Sequence, residues 1–586
     1  SYIALEAVGL TVHRIRAAGT RTIIATSPLC RGAAGEWRLR PPPGHRGTRP
    51  VASPAMRRRT TAGRRAVLGA CVIAVVTIAS CSTNDDAGAP AVTSGAPDGT
   101  IVVDVAGTSI PFDHRLLGTN APAWISPTQL TDPSFHEKLI DMGTSVLRMP
   151  GGSWSNAYDW LACETDTGCE WHWAARPSDF AELLAGTGAE GMWTVRINGT
   201  AEEAASLVAF FNGEVGDDTV IGVDREGEDW GTVGKWAALR AANGHPDPVR
   251  VALWEVGNEV FGARPEAGPE CASFGWEDVW TCDGNEYVLG NDDHDGFLRF
   301  REEMLAVDPT IEVGAVGIGG DQGEWSAFGD KVIESTAGKI DFYVVHDYGF
   351  NSAAPSEEVL DRPSRDWPTT LDDAREALAA ANPANTVPIA ITEYNMFSFY
   401  DGDTDGMMAE AISAFYIADT IGQMALNGAS MANLWNLLNG ESSSGSDYGV
   451  FDAITGATNP TFFAIAMWSR FGDELLLTRI GDDLADLHAY AGRAADGNLT
   501  LLVLNPTDQP MTSAIQLDGV SGPLTGTADV MSAPSLDARE VAFNGTVLTS
   551  TDLFATTPTN IGEVATGRFS FTFEPYSITL VSLASG

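Results

Sequence analysis

The stretch LWEVGNEVFG, residues 253–262, is a run of apolar residues that ends in an amide and a carboxylate, Asn258 and Glu259. A buried strand is usually followed by turn residues such as Gly, Pro, Asn or Asp. Here a carboxylate, Glu255, also interrupts the apolar run before it ends. Polar side chains at the point where a buried strand runs out predict that the end of this strand carries a function.

Other apolar segments between residues 101 and 470 alternate with helical patterns, of which 201–213 and 407–428 are the clearest. The predicted strands are 115–119, 145–149, 192–197, 251–256, 312–318, 342–346, 387–392 and 432–436. Eight strands, each followed by a helical stretch, predict an α/β fold of the (β/α)8 TIM-barrel type. A doubly wound sheet is the alternative, but the sequence lacks the Gly-rich phosphate loop that such a sheet usually has near its start.

The pattern changes after about residue 474, where short alternating strands such as NLTLLVLNP (498–506) follow one another without a helix-length pattern. This predicts a C-terminal antiparallel β-sandwich. The predicted domain boundaries are an upstream segment and signal peptide at 1–81, a flexible linker at 82–99, the catalytic barrel at 100–473 and the sandwich at 474–586.

The N-terminal region predicts export. Five Arg between residues 57 and 65 precede the apolar run 66–79, and Ser80 and Cys81 follow it. A basic segment, a short apolar segment and small residues are typical of a signal peptide. Residues 78–81, Ile-Ala-Ser-Cys, resemble the bacterial lipoprotein signal, which implies a lipid on Cys81. We therefore expect a cell-surface lipoprotein of the bacterial envelope, or a secreted protein; an ordinary membrane-anchoring helix is the alternative.

The charge is unevenly distributed. The chain has a net charge of −43, yet residues 1–80 contain 13 Arg and two acidic residues. The rest is therefore strongly acidic, which disfavours binding to nucleic acid or to anionic membranes. We expect membrane contact only through the lipid anchor, and a partner that is neutral or cationic.

Four cysteines lie beyond the signal region as two close pairs, Cys163 with Cys169 and Cys271 with Cys282. Two local disulfides are expected in an exported chain. Zinc binding is the competing interpretation, but the spacings differ from those of Cys-x-x-Cys ligand pairs. We expect no metal site.

The ends of the predicted strands carry the side chains from which a barrel enzyme builds its active site. They are Arg148, Asn198, Asn258, Glu259, His346, Tyr348, Glu393, Trp435 and Asn436. Glu259 and Glu393 follow the fourth and seventh strands, whose ends face each other across the barrel mouth. Glycoside hydrolysis needs such a pair, one carboxylic acid to protonate the leaving oxygen and one carboxylate to attack the anomeric carbon. Arg148 is the candidate for keeping one of them ionised.

These motifs resemble those of clan A glycoside hydrolases, and family 51, chiefly α-L-arabinofuranosidases, is the closest match. WEVGNE and ITEYN are similar to the acid/base and nucleophile motifs of the clan. Further similar segments are RMPGGSWSNAYDW (148–160), TVRINGTAEEAASLVAFFN (194–212), AVDPTIEVGAVG (306–317) and PYSITLV (575–581). The resemblance implies a retaining hydrolase that acts by double displacement on α-L-arabinofuranosyl or related plant-polysaccharide linkages, with an oligo- or polysaccharide as its partner and no cofactor.

The resemblance also implies residue roles. Glu259 is the acid/base, Glu393 the nucleophile, and Asn258 the residue that binds the sugar 2-hydroxyl. The other expected substrate-binding or orienting residues are Arg148, His346, Tyr348, Asn198, Asn120 and Trp435. The sequence departs from the family after the first strand, where Asn120 replaces the usual Glu-His type pair, and in the long loop after Glu259. β-Xylosidase, β-glucuronidase or endo-glucanase activity, and a non-catalytic sugar-binding lipoprotein, are the alternatives.

Overall fold

The computed structural model describes residues 11–13, 24–26 and 92–585, apart from 168, 170–172, 320–322, 385, 400 and 549–555. The predicted signal peptide and Cys81 lie outside the described residues. The chain divides into two units, Ser1–Ala87 and Gly88–Gly586. In the first unit, Thr11–His13 pairs antiparallel with Ile24–Thr26. The second unit contains the predicted barrel and sandwich.

The barrel consists of parallel strands that pair in chain order and close between the last and the first. The strands in the described residues are β1 Gly118–Asn120, β2 Val146–Met149, β3 Glu190–Val195, β4 Val251–Val256, β5 Glu312–Val316, β6 Phe342–Phe350, β7 Ile389–Phe397 and β8 Met431–Leu434. This confirms the predicted (β/α)8 barrel. Each predicted strand overlaps an observed one, although Arg115 lies in a short 3-10 helix, His114–Leu117, just before β1.

Helices connect the strands and cover the outside of the barrel. In chain order they are Pro127–Leu130, Pro133–Met142, Trp160–Thr165, Pro177–Thr187, Ala201–Asn212, Val233–Ala242, Gly284–Leu289, Phe297–Val307, Ser326–Thr336, Ser356–Ala381, Ala411–Leu426 and Pro460–Trp468. Short 3-10 helices lie at Ser153–Ala157, Val260–Gly262, Pro265–Ala267, Gly323–Trp325, Met407–Ala409 and Asp482–Leu484. A hairpin of Val220–Val223 and Asp229–Thr232 precedes Val233–Ala242. Among the described residues, no helix combines the length and apolar character that crossing a membrane requires.

One helix is longer than its sequence pattern predicts. The pattern predicts a helix over 371–383, but the observed helix is Ser356–Ala381 and contains Pro363 and Pro368. Proline removes a backbone donor and normally breaks a helix. Here a buried face that includes Val359, Trp367 and Leu371 packs onto the barrel, and this packing offsets the lost hydrogen bonds.

Two hydrophobic layers hold the barrel together. Inside it, buried side chains from facing strands contact one another: Val146, Met192, Ala252, Leu253, Phe342, Val344, Ala390 and Met431. Outside it, the helices pack on the strands in a larger cluster. Side chains filling the interior make this barrel a packed core, so that only the ends of its strands are available for binding.

The sandwich consists of two sheets. The first contains Ser109–Pro111, Glu474–Leu476, His488–Arg493, Leu499–Asn505, Leu524–Ser532, Ala542–Phe543, Thr546–Val547, Thr559–Val564 and Ser577–Ser585. The second contains Val92–Ala96, Thr100–Asp104, Thr478–Gly481, Met511–Asp518 and Arg568–Phe573. Most neighbouring strands are antiparallel, as predicted, but two pairs are parallel: Thr100–Asp104 with Met511–Asp518, and Val92–Ala96 with Thr478–Gly481.

The predicted boundaries at 99/100 and 473/474 need correction. Strand Val92–Ala96, predicted as linker, and strands Thr100–Asp104 and Ser109–Pro111, predicted in the barrel domain, belong to the sandwich sheets. Thr100–Asp104 lies in the middle of its sheet, where Ile101 and Val103 are buried against the sandwich core. The C-terminal strands therefore need this N-terminal segment to complete their core.

Candidate active site

The two predicted catalytic carboxylates meet at the carboxyl ends of the barrel strands. An oxygen of Glu259, an oxygen of Glu393 and a nitrogen of His346 all lie within 4.8 Å of one another. Glu259 follows β4 and adopts a left-handed backbone conformation with φ 41°, which non-glycine residues adopt at a cost and which is frequent at functional sites. The pairing of β6 and β7 shifts register between Val345 and His346, so that His346 lies opposite Glu393.

His346 links the two carboxylates. Its Nδ1 lies 3.0 Å from Glu259 Oε1 and 3.7 Å from Glu393 Oε2, and its Nε2 lies 3.0 Å from Thr392 Oγ1. Burial by itself lowers the pKa of His346, but the negative charge of Glu393 and the hydrogen bond and charge of Glu259 raise it above the ordinary value of a histidine. The two carboxylates therefore favour the charged imidazolium form of His346.

Glu393 accepts a hydrogen bond on each oxygen. Arg148 Nη1 donates to Oε1 at 2.7 Å, and the Tyr348 hydroxyl donates to Oε2 at 2.8 Å. The phenol itself stays protonated, because burial and then the charge of Glu393 raise the pKa of Tyr348 well above its ordinary value. Two fixed donors hold the carboxylate of Glu393 in one orientation at the end of β7.

Arg148 is fully buried at the end of β2 and is the centre of this network. Its guanidinium donates to Glu255, to Asn120 Oδ1 at 2.7 Å and to Asn258 Oδ1 at 2.8 Å, in addition to Glu393. Thr194 Oγ1 also donates to Glu255 Oε1, at 2.9 Å. A buried arginine needs partners of this kind, and Glu255 supplies the second negative charge from within β4.

Glu259 has different neighbours from Glu393. Trp276 Nε1 donates to Oε2 at 2.7 Å, and His346 contacts Oε1. Burial by itself raises the pKa of Glu259, but His346, the Trp276 hydrogen bond and Arg148 together lower it below the ordinary value of a glutamate. The side chain is 16% exposed, against 5% for Glu393. Glu259 is thus the more accessible of the two carboxyls.

Two of the three predicted substrate-binding amides, Asn120 and Asn258, are buried, whereas Asn198 is exposed. Asn120 is fully buried beneath Arg148, and its Nδ2 faces the main-chain oxygens of Thr392, Asn433 and Leu434 at 3.1 to 3.3 Å. Its predicted contact with a substrate stays a prediction, and in the structure its amide oxygen accepts a hydrogen bond from Arg148. Asn198 Nδ2 donates to the main-chain oxygens of Asn156 and Asp278 and ties the loops after β2, β3 and β4 together.

Asn258 is also buried, with its amide oxygen facing Arg148 and its amide nitrogen facing Glu277. Its predicted contact with a sugar hydroxyl stays a prediction. Trp435, at the end of β8, is half-buried and packs edge-on to Trp124 at 5.8 Å between ring centroids. Of the predicted binding residues, Tyr348 and Trp435 are half-buried and Asn198 is exposed.

Aromatic side chains form two groups at the barrel mouth. Trp435 and Trp124 belong to a group that continues to Trp154 and Trp173, which lie 4.8 Å apart. The second group surrounds Trp276 and contains Phe261, Phe274 and Trp325. Indole and phenyl faces at such a mouth suit the apolar faces of sugar rings.

Four residues that shape the site were not predicted from the sequence: Asn156, Trp276, Glu277 and Thr392. Asn156 lies in the quoted segment 148–160, but its spacing marks no strand end. Trp276 and Glu277 lie in the loop between β4 and Gly284–Leu289, whose only notable feature in sequence is the flanking cysteine pair. Both predicted disulfides form, Cys163–Cys169 and Cys271–Cys282, and the second encloses Trp276 and Glu277.

No protein-family model and no curated protein sequence matches this chain. Solved structures do match it. The α-L-arabinofuranosidase of Thermotoga maritima in complex with arabinose has a TM-score of 0.63 and 19% identity, over 83% of this chain and 99% of that chain. For the family 51 arabinofuranosidase of Xanthomonas axonopodis pv. citri the TM-score is 0.59 at 15% identity, again over 83% of this chain and 99% of that one.

A family 44 xyloglucanase of Paenibacillus polymyxa matches with a TM-score of 0.54 and 14% identity, over 83% of this chain and 99% of that chain. The predicted resemblance, made from short motifs at strand ends, is therefore confirmed at the level of the fold. The barrel and sandwich of this chain have the fold of the family 51 α-L-arabinofuranosidases of clan A.

Proposed function

We propose that the chain is a retaining glycoside hydrolase in which Glu393 is the nucleophile and Glu259 the acid/base. The observation that carries this proposal is the separation of the two carboxyl groups, whose nearest oxygens lie within 4.8 Å. Retaining enzymes place their two carboxyls about 5–5.5 Å apart, whereas inverting enzymes leave about 6.5–9.5 Å for a water molecule. The narrow gap supports direct attack by one carboxylate.

In the first step, a Glu393 oxygen forms a bond to the anomeric carbon while the glycosidic carbon–oxygen bond breaks. Glu259 gives its proton to the leaving oxygen, so that the departing group leaves as a neutral alcohol. In the free site the contact between Glu259 and His346 favours this proton on His346, because the pKa of Glu259 is lowered and that of His346 is raised across one hydrogen bond. Substrate that excludes water from the pocket strengthens the effect of burial, which favours the neutral form of Glu259.

In the second step, Glu259 takes a proton from a water molecule whose oxygen attacks the anomeric carbon. The bond to Glu393 breaks, and negative charge returns to this carboxylate, where Arg148 and Tyr348 donate to it. The sugar leaves with the configuration it had in the substrate, because the anomeric carbon is inverted twice.

We propose α-L-arabinofuranosides or related plant-polysaccharide linkages as the substrates. The fold shared with family 51 enzymes and the motifs WEVGNE and ITEYN support this choice. The aromatic groups around Trp435 and Trp276 would supply stacking surface on the two sides of the cleaved bond. Because a xyloglucanase shares this fold, cleavage of β-glucans is the alternative activity that the experiment must distinguish from arabinofuranoside cleavage.

A panel of aryl glycosides tests the proposal: arabinofuranoside, xyloside, glucoside and glucuronide, with xyloglucan added. We expect hydrolysis of the arabinofuranoside with retention, visible by proton NMR as the first anomer formed. Glu393→Gln should lower kcat by at least about 10⁴-fold without loss of sugar binding, whereas Glu376→Gln, an exposed control on the helix Ser356–Ala381, should leave kcat unchanged. A wild-type protein that binds sugars and hydrolyses none would instead be a sugar-binding lipoprotein.

We also propose that the protein is exported and held at the bacterial surface by a lipid on Cys81. The formation of Cys163–Cys169 and Cys271–Cys282 supports an oxidising compartment. Labelling of growing cells with a radioactive fatty acid tests the anchor, and a chain that carries no label contradicts it.

A further inference from the structure

Glu277 is a buried carboxyl that neither the strand-end pattern nor the proposed mechanism uses. It lies in the loop after β4, between Cys271 and Cys282, and its side chain is fully buried. Its backbone is fixed, because the Glu277 amide donates to Gly262 at 3.0 Å and its carbonyl accepts from the Arg264 amide at 2.9 Å. The loop therefore delivers one carboxyl to a fixed position beneath the site.

Three polar side chains surround the Glu277 carboxyl. Asn156 Nδ2 donates to Oε2 at 2.8 Å, Asn258 Nδ2 donates to Oε1 at 3.1 Å, and Ser153 Oγ lies 2.6 Å from Oε1. Asn156 also accepts from the Asn258 amide and donates to the Asn258 carbonyl. Glu277 and Asn156 thus clamp both the backbone and the side chain of the residue that precedes the acid/base.

The direction of the Asn258 amide connects Glu277 to the nucleophile. With its nitrogen bound to Glu277, the Asn258 oxygen faces Arg148 Nη2 at 2.8 Å, and Arg148 Nη1 holds Glu393 Oε1 at 2.7 Å. A reversed amide would place two donors, the Asn258 nitrogen and the guanidinium, against each other. An acceptor opposite the Asn258 nitrogen therefore selects the orientation that supports Arg148.

We propose that Glu277 is a positioning residue for glycoside hydrolysis: it fixes the amide of Asn258, and through Asn258 and Arg148 it holds the nucleophile Glu393 in line for attack. This inference rests on the proposed function. It also gives a role to the disulfide loop, because Trp276, the preceding residue, donates to the acid/base Glu259. Two consecutive loop residues therefore reach the two halves of the catalytic pair.

The charged groups near Glu277 are Glu259 and, beyond Asn258, Arg148; Asp278 and Arg264 pair with each other at the surface. Burial, followed by repulsion from Glu259, raises the pKa of Glu277 to about 8. Glu277 is therefore protonated at neutral pH, and its hydroxyl can donate to Ser153 Oγ. Since the folded pKa lies above the unfolded value, the stabilising effect is present at low pH and is lost as pH rises through about 8.

The test compares Glu277→Ala, Glu277→Gln and the control Glu266→Gln, an exposed glutamate of the same loop. The measurements are kcat and KM for the aryl glycoside that the wild type cleaves, their pH profiles, and thermal unfolding. Glu277→Ala should lower kcat by about 10²-fold, the cost of a misplaced reacting group, with less than about threefold change in KM. Glu277→Gln keeps an acceptor for Asn258 and carries no charge, so it should restore most of kcat at pH 6 and lose the ionisation near pH 8.

The outcomes separate this inference from the proposed function. A wild type that cleaves no glycoside overturns both, whereas an active wild type with a fully active Glu277→Ala overturns only the role of Glu277. If Glu277→Ala does not fold, Glu277→Gln decides. Between pH 6 and 9 the Tm of Glu277→Gln should fall less than the Tm of the wild type. The pH profile of its kcat should also lack the change near pH 8 that ionisation of Glu277 causes in the wild type. Profiles that coincide with those of the wild type contradict the proposal.

Discussion

Replacing Trp276 with Phe removes one hydrogen bond from Glu259, the proposed acid/base, and little else. The indole Nε1 donates to Glu259 Oε2 at 2.7 Å, and this bond is one of the causes that lower the pKa of Glu259. A phenyl ring keeps the aromatic contacts with Phe261 and Trp325. The substitution therefore isolates the effect of a single donor on the proton affinity of Glu259.

The size of the effect follows from the energy of the bond. A hydrogen bond to a charged group contributes about 1.5–3 kcal/mol, and about 1.4 kcal/mol corresponds to one pKa unit. Since water can partly replace the indole at a side chain that is 16% exposed, we expect the pKa of Glu259 to rise by about one unit. In the proposed mechanism the reaction needs protonated Glu259, so the alkaline limb of kcat/KM should move to higher pH by about one unit.

The assay is kcat/KM for an aryl arabinofuranoside between pH 4 and 10, which reports groups of the free enzyme. Trp325→Phe is the matched control, because Trp325 lies 5.5 Å from Trp276 between ring centroids and its indole nitrogen has no hydrogen-bond partner among the described residues. Its alkaline limb should stay in place. A Trp276→Phe limb that does not move, or that moves to lower pH, would refute the assignment of Glu259 as the proton donor.

Two further predictions concern Tyr348 and the contact between barrel and sandwich. Tyr348→Phe removes a hydrogen-bond donor from Glu393 Oε2 and should slow the second step of the proposed mechanism most, because negative charge returns to Glu393 in that step. We expect a pre-steady-state burst of the released alcohol, with kcat and KM both lowered by about 10-fold or more. A lower kcat without a burst would contradict this prediction. His488 lies 2.7 Å from Asp419, and the charge of Asp419 raises the pKa of His488. This ion pair contributes its full stabilisation of the fold below pH about 6.5, the unfolded pKa of histidine, and the stabilisation is lost as pH rises through the folded pKa. In denaturant titrations, His488→Gln should therefore lower the free energy of unfolding by about 1–2 kcal/mol at pH 5.5 and by less at pH 9. An equal loss at both pH values would contradict the ion pair.

The parts of the site that the sequence revealed are those encoded next to strand ends. Glu259, Glu393 and Arg148 each follow or end a short apolar strand, and parallel strands in a barrel bring their carboxyl ends together whatever the loops do. The alternation of predicted strands and helices along the chain was therefore sufficient to predict that these three residues lie at the same end of the barrel. The depth of Asn120 could not be predicted, because the sequence shows that a polar residue ends a strand but not how far that residue lies below the surface.

The parts that the sequence did not reveal depend on contacts between distant segments. Strand Thr100–Asp104 pairs with Met511–Asp518 and Thr478–Gly481, more than 370 residues away, so a boundary drawn where the pattern changes along the chain misses it. Trp276 and Glu277 reach the site because their loop folds back on Gly262 and Arg264. Nothing in the local pattern of that loop distinguishes them from surface residues.

The arrangement of donors supports the different roles that we propose for two glutamates of the same barrel. Glu393 faces two donors that do not titrate near neutral pH, Arg148 and Tyr348, so its carboxylate has fixed partners before and after the sugar is attached. Glu259 faces His346, whose proton can move, and it is the more exposed of the two. A nucleophilic carboxyl must stay ionised in the free enzyme, whereas an acid/base must gain and lose a proton in each reaction cycle.

The positive charge of the site also limits which carboxyls can be ionised together. Arg148 already pairs with Glu255 and Glu393, which leaves His346 as the cation that Glu259 can share. Glu277 has no cation of its own in the described structure and stays neutral below pH about 8. In the proposed mechanism a neutral Glu277 thus avoids a second buried negative charge, one without a cation, beside Glu259 when Glu259 gives its proton to the leaving group. The loop that carries Glu277 therefore supplies the site with a neutral carboxyl group as well as with hydrogen-bond partners.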